Sequence, residues 1–160
     1  ATLGGTGSIG GAATLTNTGF LSAGDGGVGT LSFLSSLDVA NASTGSLLFD
    51  LGSAGTGDLI YVAGDLTIDL LDLDDFAFTN LGATSVPGTY IWNLFQVQGD
   101  ILGSLGDNTT SKPFASIKSA SFAISGDFIQ LTMTVPEPSS TALLGLGGLM
   151  LALRRKRSAA

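Results

Sequence analysis

Short apolar runs broken by glycine fill most of this 160-residue chain. They include Gly29–Val39 (GTLSFLSSLDV), Gly45–Gly52 (GSLLFDLG), Asp58–Gly64 (DLIYVAG) and Gly64–Leu73 (GDLTIDLLDL). Two more lie at Gly88–Gly99 (GTYIWNLFQVQG) and Ala120–Val135 (ASFAISGDFIQLTMTV). The last alternates cleanly, with Ile129, Leu131, Met133 and Val135 on one face and Gln130, Thr132 and Thr134 on the other. A period of two with β-branched and aromatic residues predicts strands half buried in a sheet.

Gly-Asp followed by an apolar residue recurs at Gly57-Asp58-Leu59, Gly64-Asp65-Leu66, Gly99-Asp100-Ile101 and Gly126-Asp127-Phe128. Glycine tolerates positive φ and Asp accepts hydrogen bonds from nearby backbone amides, so the pair reads as a turn that launches a strand. Repetition of one turn-plus-strand unit predicts an all-β body of stacked units, a parallel β-helix or β-solenoid. An antiparallel β-sandwich is the competing arrangement. Helix is expected only near the C-terminus, since Glu137 is the sole glutamate and lysines number three.

The segments Gly19–Leu31 (GFLSAGDGGVGTL) and Asp58–Ile68 (DLIYVAGDLTI) resemble the autotransporter-associated β-strand repeat of bacterial surface proteins. Ala23 stands where that family favours Pro, and Ile60 where Leu is common. Pro87–Val97 (PGTYIWNLFQV) resembles the strand that often comes after such repeats. The resemblance implies a right-handed parallel β-helix passenger, or its C-terminal end.

Composition narrows the chemistry. Histidine and cysteine are absent, which removes the usual general base, thiolate metal sites and disulfides. Four of the six cations crowd into Arg154, Arg155, Lys156 and Arg157; elsewhere only Lys112 and Lys118 face thirteen acids. Such a surface repels phosphate backbones, so no nucleic-acid partner is expected. No catalytic residue, cofactor or metal ligand is assigned, and the chain is read as not an enzyme.

Several motifs carry a bland reading beside a sharper one. Gly5–Gly10 spells GxGxxG, but the adjoining Gly11–Gly19 stretch is glycine-broken and cannot form the required helix, so the motif reads as a turn. Asp69, Asp72, Asp74 and Asp75 form the densest acidic run, read as a solvated strand edge, with calcium binding left open. Tyr90, Trp92 and Phe95 lie within an apolar run and read as core rather than as a sugar platform. The sequons at Asn41 and Asn108 read as chance matches.

The C-terminus differs in kind. Pro136-Glu137-Pro138 precedes an apolar stretch, Thr141–Leu153, and the four cations. A helix over 139–153 would be ~22 Å long, short of the ~30 Å hydrocarbon core, and spans only with local thinning. The cations fit the positive-inside rule, and the prolines end the preceding strand. This three-part layout closely resembles the PEP-CTERM sorting signal of Gram-negative bacteria. The resemblance implies recognition by an exosortase-type membrane protease at Pro136, Glu137 and Pro138, with Arg154 to Arg157 fixing orientation. The protein is then expected to be exported, held transiently in the inner membrane, and delivered to the cell surface or medium.

The expected division is a body at 1–135 and a sorting signal at 136–160, with a short transmembrane segment at 139–153 and a basic tail at 154–157. With no initiating Met or leader at its start, the chain is expected to be the C-terminal fragment of a longer precursor. The expected role is a surface or extracellular-matrix protein associated with exopolysaccharide or biofilm. The alternative is a stalk or polysaccharide-binding part of a larger carbohydrate-active enzyme.

Overall fold

The computed structural model describes residues 1–138 and 140–157. Strands come in groups of three. The first group is β1 (Thr2–Gly5), β2 (Ser8–Ile9) and β3 (Ala13–Thr14); the second is β4 (Phe20–Ala23), β5 (Thr30–Phe33) and β6 (Leu37–Asp38). The third is β7 (Leu47–Gly52), β8 (Leu59–Val62) and β9 (Leu66–Thr67); the fourth is β10 (Phe76–Leu81), β11 (Gly88–Val97) and β12 (Ile101–Leu102). A hairpin of β13 (Ser119–Ser125) and β14 (Phe128–Val135) comes next, then the helix α1 (Ser140–Arg157).

Among the first twelve strands, every third joins the same sheet. One sheet runs β1-β4-β7-β10, another β3-β6-β9-β12, and the largest β2-β5-β8-β11-β14-β13. Pairing among the first twelve strands is parallel; β14 is antiparallel to both β11 and β13. The body is thus mostly β, as expected, and its sheets are largely parallel.

Parallel pairing in register sets like side chains above one another, and this builds the core. Leu21 pairs with Leu47, which pairs with Phe76. Leu31 pairs with Ile60, then Phe95, then Ile129. Leu37 pairs with Leu66, then Ile101. Apart from the partly buried Ile101, every member of these columns is buried. Phe49, Phe76, Phe95 and Phe122 meet edge-to-face or tilted, with centroids 5.3 to 6.4 Å apart, in the geometry that aromatic quadrupoles favour. In β14 the inward residues are the four named from its alternation.

Several sequence expectations change. Strands β1 to β4, β10 and β12 fall outside the apolar runs read as strands, because their pairing comes from neighbouring groups rather than from their own alternation. The acidic run is not a strand edge: Leu73–Asp75 is a single 3₁₀ turn between β9 and β10. All four Gly-Asp pairs do precede strands, but only Gly126 has the positive φ (59°) expected of the turn. At the other three, glycine serves close approach. A Cβ at Gly64 would lie 2.7 Å from the Ser36 nitrogen, one at Gly99 2.7 Å from the Gly64 carbonyl, and one at Gly57 2.8 Å from the Trp92 ring.

Candidate functional site

Two Asp residues of these pairs, Asp58 and Asp65, bond to backbone far away in sequence rather than within a local turn. Asp58, 1 % exposed, accepts the Gly29 amide at 2.7 Å and the Asp50 amide at 2.8 Å. Asp65 accepts the Asp100 amide at 2.9 Å, while its own amide donates to the Ser36 hydroxyl at 3.2 Å. Residues 29 apart in sequence are thus clasped in space. Burial raises the Asp58 pKa above 3.8; the two amides pull it down, and the neighbouring Asp50 charge pushes it up. Sequence reasoning found the Gly-Asp-apolar signal but assigned it a local role.

The acidic run is similarly occupied with backbone. Asp72 and Asp75 form a reciprocal cap on the 3₁₀ turn, Asp75 accepting the Asp72 amide at 2.9 Å. Asp72 also accepts the Asn108 amide at 2.8 Å. Burial raises the Asp75 pKa, offset by the Asp72 amide and reinforced by the Asp72 and Asp74 charges. Among the described residues no three acidic side chains are gathered as a metal site would require. Gly5 to Gly10 runs from the end of β1 through β2, and the next element is the strand β3 rather than a helix.

Of the three aromatics singled out, Trp92 and Phe95 are fully buried and Tyr90 is half buried. The Trp92 Nε1 donates to the carbonyls of Thr56 (2.8 Å) and Gly52 (3.2 Å), and the Tyr90 hydroxyl donates to that of Pro87 (3.1 Å). A bulge between Asn93 and Phe95 turns both Leu94 and Phe95 inward. Trp92 and Phe95 are core, as read from the sequence, and Tyr90 packs against it.

The C-terminal tail begins where the sheet lets go. β14 lies between β11 and β13; Thr134 pairs with both Thr89 and Ser119, and its carbonyl accepts the Lys118 amide at 2.7 Å. Val135 pairs with Gly88 and is buried. Pro136, Glu137 and Pro138 are exposed and belong to no strand or helix. Pro136 has no N–H to continue the ladder, so the strand stops there.

Along 144–154 of helix α1 the side chains are exposed. Leu144, Leu146, Leu149, Met150, Leu151 and Leu153 are 55 to 78 % exposed, and Arg154 is exposed. The helix lies where the apolar stretch predicted it; Ser139 lies outside the described residues, as do the side chains of Arg155, Lys156 and Arg157. Among the described residues no helix is long and apolar enough to cross a membrane. Eighteen residues give ~27 Å, and the last four are cationic.

An exposed proline joint between a sheet-locked strand and an apolar, basic-ended helix is the layout of a C-terminal processing tail. A family model for the PEP-CTERM protein-sorting motif matches residues 134–157, so the chain carries that motif. Such motifs mark exported proteins and are recognised by exosortase-type membrane proteases. No curated protein matches the chain.

Proposed function

We propose that this chain is a non-enzymatic exported protein whose body is a β-solenoid and whose tail is a temporary membrane anchor removed by an exosortase-type protease. The observation that carries it is the sorting motif at residues 134–157. Its Pro-Glu-Pro is exposed, and the strand before it is hydrogen-bonded on both sides. In this reading Pro136, Glu137 and Pro138 are the processing motif. The helix enters the bilayer with local thinning, at modest cost, and Arg154, Arg155, Lys156 and Arg157 stay on the cytoplasmic side.

The solenoid reading is supported by strands recurring every third position in three sheets. The resemblance of Gly19–Leu31 and Asp58–Ile68 to the autotransporter-associated β-strand repeat favours a passenger of that kind. After cleavage the body is a cell-surface or matrix protein of a Gram-negative-type bacterium, in the company of exopolysaccharide. The absence of His and Cys supports a non-catalytic role, as does the use of Asp58, Asp72 and Asp75 to hold backbone amides.

The test is expression in a host with an exosortase, then fractionation and C-terminal mass spectrometry. The unaltered chain is expected to lose its helix and basic end. Replacing Pro136, Glu137 and Pro138 by Ala is expected to leave full-length protein in the membrane fraction. An intact Arg154–Ala160 end on mature surface protein would refute the reading.

A further inference from the structure

At the side of the stack where β10 meets the loop after β12, the surface opens into a cavity of about 330 Å³. That is the low end of the ~300–1,000 Å³ typical of small-molecule sites. Phe76 and Phe78 line it with rings parallel to within 2° and centroids 5.4 Å apart. Phe76 is buried and Phe78, half buried, packs against the core, so the pair forms an aromatic wall with Phe78 as its accessible part. Thr44, Asp74, Ser111 and Lys112 are the polar and charged residues of its lining. Lys112 is one of only two cations ahead of the tail.

We propose that this cavity binds a neutral sugar ring, as part of a soluble or polymeric glycan. A pyranose is apolar on its C–H faces and polar around its rim. The aromatic wall offers the first a stacking surface, while carboxylate, ammonium and hydroxyls offer the second both acceptors and donors. Other ligand classes fit worse. A phosphate or acidic glycan would meet one lysine beside Asp74 on a strongly acidic body. A metal ion would find a single carboxylate in this lining, where calcium wants six to eight oxygens. An acyl chain would leave the charged groups unsatisfied.

The site does not depend on the tail being cleaved, so the two readings fail separately: mass spectrometry decides one and titration the other. The full chain, kept in a zwitterionic detergent that contains no sugar, is titrated with cellotriose, maltotriose and trigalacturonate by calorimetry and by ¹H–¹⁵N NMR. Saturable binding of a neutral trisaccharide is expected, with shifts centred on Thr44, Asp74, Phe78 and Lys112. Phe78→Ala is expected to abolish it; Asp74→Asn and Lys112→Met should each weaken it at least tenfold, while Ile91→Ala on the largest sheet leaves it unchanged. Should Phe78→Ala fail to fold, the two polar variants decide the matter. The proposal is overturned if neither neutral trisaccharide binds, if trigalacturonate binds more tightly, or if binding survives all the cavity substitutions.

Discussion

Truncating Asp58 to alanine isolates the device that ties one group of strands to the next. The side chain is buried, and its two oxygens accept the amides of Gly29 and Asp50 at 2.7 and 2.8 Å. Alanine leaves both donors unsatisfied, at ~1–3 kcal/mol each when buried. Against that, removing a carboxylate that burial already disfavours recovers part of the loss. Both hydrogen bonds are only part-buried, so water relieves some of the penalty. The net expectation is a destabilisation of about 2–4 kcal/mol. Asp58→Asn keeps one acceptor oxygen and turns an NH2 toward the other amide, so about half that loss is expected. Urea unfolding of the full chain, monitored by Trp92 fluorescence, is the assay. Trp92 is the sole tryptophan, fully buried, and lies against Gly57. A loss below ~0.5 kcal/mol for Asp58→Ala, the level of an ordinary surface change, would refute the clasp.

Two further outcomes rest on the same geometry. Because Asp58 and Asp75 hold their protons more tightly folded than unfolded, the folded state binds more protons between 3.8 and the raised values. Their contribution therefore falls as pH rises through that window and grows on acidification; urea midpoints between pH 7 and pH 4 should show a shallower pH dependence in Asp58→Asn than in the unaltered chain. Gly99→Ala, which sets a methyl against the Gly64 carbonyl, is expected to cost more than ~1 kcal/mol, whereas Gly7→Ala and Gly10→Ala, with nothing within 4 Å, should each cost less than ~0.5 kcal/mol by thermal unfolding.

The sequence alone determined whatever depends on neighbours along the chain. The alternation of β14 named its buried face, since side chains alternate with period two wherever the strand is paired. The Gly-Asp pairs marked four strand starts. The tail was legible because its order of prolines, apolar stretch and cations acts through composition and length rather than through packing. Tertiary structure decided whatever depends on residues about thirty positions away. Asp58 and Asp65 read as local turn residues until stacking brought Gly29 and Asp100 to them. Gly64 and Gly99 are small because one backbone crosses the other, a contact that no local pattern encodes. Strands β1 to β3 have too little alternation of their own and exist because β4 to β6 supply their partners. The cavity walled by Phe76 and Phe78 likewise gathers Thr44, Asp74 and Lys112 from three separate segments, because stacking brings distant parts of the chain to one surface.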